Sequence, residues 1–447
     1  MSKLPQGWAE ATIEDVTEYV QRGKSPKYAS HSDLPVINQK CVRWTGVNEA
    51  YLKYVDASQW ASWTAERFLV DGDILWNSTG TGTIGRAAIF RPLVTAPRAV
   101  ADSHVTIVRT NPATLPEYLH RLIQSPLVQS KLDEMQSGST NQVELSKSEV
   151  LETLVPLPPL PEQRRIVAKI DSLSGKSRRA RDHLDHIPRL VEKYKQAVLA
   201  AAFNSVEMAE WRQVQLENVL TDALIGLVRG KSDQSTIHGV PYIRMNHYDL
   251  DGRWNDDDLT LVNADAAEMA RYELRDGDLL FNTRNSFELV GKVAIWSGRP
   301  SGYLYNNNLL RLRFRSEVIP AFAFYQMISP QFRAYLHSQK SATTSVCAIY
   351  QRSIMAAPWA YPDADRQLEV ANWIEGAFSK IDRLASEVTS AGRLIDRLDQ
   401  AVLAKAFRGE LVPQDPEDEP ANVLLDRIRA ERGAAPKLKR GRQAKAT

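Results

Sequence analysis

QAVLAAAF, residues 196–203, returns as QAVLAKAF at residues 400–407, and working outward from this pair shows a chain built twice. Trp8 with Ile13 and Val16 recurs as Trp211 with Leu216 and Val219. Arg22, Gly23, Lys24 and Ser25 recur as Arg229, Gly230, Lys231 and Ser232, and these two groups lie at offsets of about 203 and 207. Pro35, Val36 and Ile37 match Pro241, Tyr242 and Ile243, and DGDIL at 71–75 returns as DGDLL at 276–280. Residues 85–90 pair with 291–296. So many matches in one order exclude chance, so the halves are homologous.

Each half opens with about 150 residues of short apolar runs separated by Gly, Asn and Pro clusters, the pattern of mixed helix and strand. Residues 74–76 and 279–281 read as buried strands, each entered through an Asp-Gly-Asp turn and left through a polar loop. Pro156, Pro158, Pro159 and Pro161 then impose an extended linker. From Ile166 onward, apolar or small residues fall at Ile170, Leu173, Ala180, Leu184, Ile187, Val191, Tyr194, Val198 and Ala201, broken only by Ser177. The second copy repeats this heptad stripe with Val370, Ala377, Ile381, Leu384, Val388, Ala391, Ile395, Leu398 and Val402, with Ile374 close to it. Two helices of roughly 55 Å, each with one apolar stripe, bury it most simply against each other, antiparallel. Pro188 predicts a bend or break near residues 185–188.

With 447 residues, 43% of them apolar, the chain exceeds one ordinary core. Cys41 and Cys347 have no CxxC neighbour, and the start of the chain lacks a signal-peptide apolar region, so a reducing cytoplasm is expected. No apolar run approaches the roughly 20 residues that cross a bilayer. A net charge of +2 neither supports nor excludes nucleic acid. The repeated RGKS is not a phosphate loop, because the required first glycine is replaced by Glu18 and by Ile225. Gly80, Gly82 and Gly85 faintly suggest a dinucleotide fingerprint, but the second copy reads Thr283, Arg284, Asn285, Ser286 and Phe287 there. No HExxH, zinc spacing, NPPF or NPPY tetrapeptide or nuclease cluster is present, so neither metal nor catalysis is expected of this chain.

The passage PLPPLPEQRRIVAKID at 156–171, the helices ending in QAVLAAAF and QAVLAKAFRGEL, the opening LPQGW and the closing ANVLLDRIRAERG resemble the specificity subunits of type I restriction-modification systems, over nearly the whole chain. The resemblance implies an α/β (mixed) fold: two globular target-recognition domains in tandem, each followed by a long helix, the helices packing as an antiparallel coiled coil. The implied boundaries are a first target-recognition domain at 1–155, linker and first helix at 156–205, a second domain at 206–357, linker and second helix at 358–412, and a tail at 413–447 with a short amphipathic helix and a basic end. Each domain would read one half of a split double-stranded DNA site, with the helices as spacer and as the platform for two methyltransferase subunits. S-adenosylmethionine, ATP and Mg would be carried by those subunits and by restriction-translocase subunits, not by this chain. The second linker, PWAYPDADRQLEV at 358–370, departs from the pattern of the first. Half-sites commonly lie about 34 Å apart between centres, within reach of such helices.

Loops that follow strands are the natural carriers of base contacts, with Arg to guanine and Asn or Gln to adenine. Candidates in the first domain are Lys24; Asn38, Gln39, Lys40, Arg43 and Trp44; Asn77, Ser78, Thr79, Thr81 and Arg86; and Ser139, Thr140, Asn141 and Gln142. The second domain offers Lys231; Arg244, Asn246, His247 and Tyr248; Asn282, Thr283, Arg284 and Asn285; and Thr343, Thr344 and Ser345. Partner-binding candidates on the helices are Ile170, Leu173, Leu184, Val191, Val198, Ile381, Leu384, Val388, Ile395 and Leu398. For each loop residue the competing reading is a turn cap facing solvent. For Lys24 and Lys231 it is an exposed turn, and for Asn306, Asn307 and Asn308 a tight loop. For Arg164, Arg165, Lys169, Arg178, Arg179 and Arg181 it is a solvated coiled-coil face. The rival functions are a self-sufficient methyltransferase or nuclease, and a coiled-coil scaffold without DNA specificity.

Overall fold

The computed structural model describes residues 4–80, 82–94, 96–137, 144–235, 238–342 and 346–434. Thr81, Ser139, Thr140, Asn141, Gln142, Thr343, Thr344 and Ser345 lie outside the described residues. The chain forms two compact units of mixed helix and strand, residues 1–183 with 391–447, and residues 184–390.

In the first unit the strand Ile74–Asn77 lies between Val105–Thr110 and Ala87–Ile89 in a four-stranded antiparallel sheet completed by Thr17–Arg22. Successive side chains of a strand point to opposite faces. Ile74 and Trp76 therefore enter a core with the helix Pro116–Gln124, while Leu75 enters another with Cys41 and Val42. Burial on both faces explains why the strand reads as an unbroken apolar run. The second unit repeats this arrangement. Asp278–Asn282 lies between Leu309–Phe314 and Val293–Trp296, with Leu279 and Phe281 facing one core and Leu280 the other.

The Asp-Gly-Asp turns do more than reverse the chain. Asp73 is fully buried, accepts from the Val70 amide at 2.9 Å and holds Arg109 on the neighbouring strand through bonds of 2.7 and 2.8 Å. Asp278 does the same with the Arg275 amide at 2.8 Å and with Arg313 through two bonds of 2.7 Å. These bidentate pairs fix the register at which each central strand enters its sheet.

The proline-rich stretch is extended through Pro159 and partly paired, Leu154–Leu157 running antiparallel to Ala9–Thr12, but Pro161 is not extended: it sits in the first turn of the helix Leu160–Leu184, where its missing N–H costs nothing. The divergent second linker forms the same pairing, Pro358–Tyr361 with Arg212–Gln215. One side chain then anchors each following helix. Gln163 accepts from the Leu115 amide at 2.9 Å and donates to the carbonyls of Ala113 and Pro158 at 2.9 and 3.1 Å. Gln367 accepts from the Ile319 amide at 2.8 Å and donates to Glu317 and Pro362, both at 2.9 Å.

The first long helix is broken where Pro188 requires it, into Leu160–Leu184 and Ile187–Ala202, with Pro188 in the first turn of the second piece. Its counterpart Ala364–Ala406 has no proline and runs unbroken for 43 residues, about 65 Å. Within the first unit, Ser177 Oγ donates to Asp399 at 2.6 Å, and Arg181 donates to Asp396 and Asp399 at 2.8 and 2.7 Å. Within the second, Lys195 Nζ lies 2.8 Å from Asp382 and 3.6 Å from Asp251.

The apolar stripe needs correction in the second helix. Leu384 and Leu398 are 57% and 55% exposed, whereas Ile374 is fully buried. Ile381, Val388, Ile395 and Val402, spaced by sevens, stay on the covered side, so the helix buries one row of the stripe and turns the row of Leu384 and Leu398 outward. Ile170 is buried, and Leu173, Leu184, Val191, Val198, Ile381, Val388 and Ile395 are half-buried. Among the described residues no helix is long and apolar enough to cross a membrane.

Gln367→Ala would leave one amide and two carbonyls without their partner, so urea unfolding should show a loss of about 2–4 kcal/mol, against less than 1 if the residue only covers surface. His120 supplies a pH test. Its Nε2 bonds the Ala87 carbonyl at 3.1 Å, and burial pushes its pKa down from 6.5 to about 4. The fold therefore favours neutral imidazole, and this stabilisation is whole above pH 6.5 and is lost as pH falls toward about 4. Denaturation across that window should cost the wild type up to about 3 kcal/mol more than His120→Asn, whereas equal slopes would contradict this role.

Candidate nucleic-acid interface

The two central strands deliver their polar ends to loops of the same construction. In the first unit, Asn77 donates its amide N–H to Arg86 O at 2.8 Å and accepts from Gly85 N at 2.9 Å; its side-chain Nδ2 donates to Gln39 O and Thr83 O at 3.0 and 3.3 Å. Gly80 and Gly85, with φ of 99° and 84°, give this loop the left-handed turns it needs. In the second unit, Asn282 N donates to Lys292 O at 2.8 Å, Gly291 N to Asn282 O at 2.9 Å, and Asn282 Nδ2 to Arg284 O and Asn308 O, both at 3.1 Å.

This geometry divides the candidates. Asn38, Asn77, Ser78, Thr79, His247, Tyr248, Asn282 and Thr283 are buried. Asn38 donates to Tyr51 O at 2.7 Å and caps Lys40 N at 2.8 Å, the Ser78 and Thr106 hydroxyls hydrogen-bond each other, and Thr79 bonds His104 Nδ1 at 2.6 Å. Tyr248 donates to Leu280 O at 3.3 Å, His247 Nδ1 accepts from Arg244 N at 3.0 Å, and Thr283 Oγ1 donates to Asn308 O at 3.0 Å. These eight shape the loops from inside rather than standing at their surface. Lys40, Trp44, Lys231, Asn246 and Arg284 are exposed; Lys24, Gln39, Arg43, Arg86, Arg244 and Asn285 are half-buried. Several of the latter are already oriented. The Arg43 guanidinium lies over Tyr51 at 5.3 Å, and Lys24 Nζ reaches Ser62 Oγ at 3.1 Å and lies over Trp63.

The pairing of the two RGKS runs is corrected by the backbone. Gly23 N donates to Val105 O and Lys24 N to Ala101 O, and the equivalent bonds in the second unit are made by Gly226 and Leu227 to Leu309 O and Tyr305 O. A Cβ on Gly23 would lie 2.1 Å from Asp102 O and one on Gly226 2.2 Å from Tyr305 O, whereas Gly230 has nothing nearer than 3.6 Å. Close passage of the neighbouring chain demands glycine at the first two positions only. Lys231 therefore stands in a separate turn, Lys231–Asp233, four residues beyond the true equivalent of Gly23 and Lys24.

Lys292 is a loop residue that sequence reasoning misses, although its pairing with Arg86 in the repeat marks a cation at one position in both copies. It is buried, and its Nζ donates to the carbonyls of Met245 and Tyr248 at 2.6 and 2.8 Å, bracketing Asn246 and His247. Desolvation lowers its pKa. Of the basic residues on the first long helix, Arg165 pairs with Asp418 at 2.7 Å and Arg181 with Asp396 and Asp399, so their charge is answered within the unit. Cys41 and Cys347 are buried free thiols, and among the described residues no group of three or more His, Cys, Asp or Glu could hold a metal ion.

Residues 5–182 match the model of the type I restriction modification DNA specificity domain. The chain is 24% identical over 459 aligned positions to the EcoKI specificity subunit of Escherichia coli K12, covering 97% of both chains. It is equally similar, with the same coverage, to the StySPI specificity subunit of Salmonella potsdam. Its fold is that of a solved chain from a type I restriction-modification system, with a TM-score of 0.71, 21% identity and 92% and 100% coverage of the two chains. It is also that of the HsdS subunit of Thermoanaerobacter tengcongensis, with a TM-score of 0.57, 20% identity and 91% and 98% coverage. The same loop frame is built twice, the match to the type I restriction modification DNA specificity domain lies over the first, and over nearly its whole length the chain is similar to type I restriction enzyme specificity subunits.

Proposed function

We propose that this chain reads a bipartite double-stranded DNA site, one half-site per target-recognition domain, within a cytoplasmic complex whose other subunits methylate and cut. The observation that carries this reading is one loop frame, closed by the same two backbone bonds at Asn77 in one domain and at Asn282 in the other, that bears different side chains. A shared frame with divergent tips suits two different half-sites better than it suits a scaffold, which has no need of divergence. Base edges would be read by the side chains at the tips: Lys40, Arg43, Trp44 and Arg86 in the domain at 1–155, and Arg244, Asn246, Arg284 and Asn285 in the domain at 206–357. Lys24 and Lys231 suit phosphate contacts, in different places in the two copies.

The long helices would pair antiparallel, setting the distance between half-sites and docking two methyltransferase subunits. Their outward apolar side chains, Tyr194, Leu384, Leu394 and Leu398, favour a protein partner on that face. S-adenosylmethionine, ATP and Mg would belong to the partner subunits.

The test is DNA binding by the complex co-purified with its methyltransferase subunits. Lys40→Ala with Arg43→Ala should weaken discrimination at one half-site about 10- to 100-fold and leave the other intact, and Arg284→Ala should do so at the other. Variants that affected both half-sites alike, or neither, would refute the loop assignment.

A further inference from the structure

The two copies of the long helix align without a gap, since Gln163 matches Gln367 and residues 196–203 match 400–407. Equivalent positions can therefore be compared directly, and where each helix meets its neighbour they carry opposite charge. Lys195, its side chain only 4% exposed, meets Asp382 at 2.8 Å in the second unit. The residue at its position in the other copy is Asp399, which accepts from Ser177 and Arg181 in the first unit. The position of Asp382 is held in the first copy by Arg178. The first copy thus carries a cation at both positions, the buried Lys195 and the exposed Arg178, and the second carries carboxylates at both, Asp399 and the part-exposed Asp382.

We infer that these charges make the helix pair selective for one first copy with one second copy, and exclude pairing of either copy with its own kind from another chain. The inference rests on the antiparallel pairing proposed above. Two first copies would set Lys195 against Arg178 and Arg181. Two second copies would set Asp399 against Asp382, and would replace its partners Ser177 and Arg181 with Ile381 and Ala385. Like charges set face to face repel, most of all where one of them, as Lys195 is, is buried, and paired helices reject wrong partners in this way. The outer contact between Arg181 and Asp396 does not discriminate, because Glu192 stands at the position of Asp396 in the first copy. Selectivity lies in the inner positions. Homologous halves are otherwise built to the same plan, so without such a device a second copy of this chain could exchange halves with the first.

The test uses the full chain carrying a protease site at residues 204–210, cut after folding, with two differently tagged preparations mixed and weighed by native mass spectrometry. The wild type should yield only pairs of one N-terminal and one C-terminal fragment, with like pairs about tenfold rarer or less. Lys195→Asp should create N-terminal fragment pairs, because the new carboxylate would face Arg178 and Arg181, and Asp399→Lys should create C-terminal pairs. Like pairs as abundant as mixed ones in the wild type would overturn the inference whatever the variants do. So would variants that remain folded before cutting and gain no like pairs. Because the readout is mass, failure here would leave the DNA-reading assignment untouched, and failure of DNA reading would leave this inference standing.

Discussion

A carboxylate cannot stay ionised in a protein interior without a partner, and each copy of this chain places one at the entrance to its central strand. Asp73 and Asp278 are buried, and each is held by an arginine of the adjacent strand through two hydrogen bonds. Removing either arginine would strand a buried charge at a cost of about 3–5 kcal/mol, so strand register is tightly fixed. From that fixed point three buried residues carry the chain to Asn77 or Asn282, and the loop beyond begins at a defined place. Everything variable stands on that frame.

The consequence for function is a division of labour inside each loop. Buried polar side chains such as Asn38, Ser78 and Thr283 hold the backbone by hydrogen bonds, and exposed ones such as Lys40 and Arg284 are left to the surface. Preorganisation of this kind lowers the entropy lost on binding. Lys292 belongs to the first group although it is a cation, because its ammonium donates to two backbone carbonyls. The side chains at the tips can thus differ without disturbing the frame.

Much of this was legible in the sequence. The repeat, the buried central strands and the break before Pro188 follow from local pattern alone. What local pattern missed depends on partners distant in the chain. Arg109 and Arg313 lie about 35 residues beyond the aspartates they hold, and Gln367 hides in a linker whose sequence diverged while its hydrogen bonds did not. The RGKS pairing failed because four similar letters outweighed a single glycine whose lack of a Cβ is what the fold requires. Burial of Asn77 and Asn282 was invisible because a polar residue after a strand looks the same whether it faces water or its own loop. The helix stripe was drawn two rows wide, whereas the second helix covers the row of Ile381, Val388, Ile395 and Val402 and leaves Leu384 and Leu398 outside.

The most direct measurement is a map of methylated adenines across host DNA, by single-molecule sequencing, when this chain is co-expressed with its methyltransferase subunit. Two short specific tracts around a fixed nonspecific gap are the predicted result, and would give both half-sites at once. A short continuous methylated site, made by an assembled and active complex, would contradict the claim that two domains each read one half.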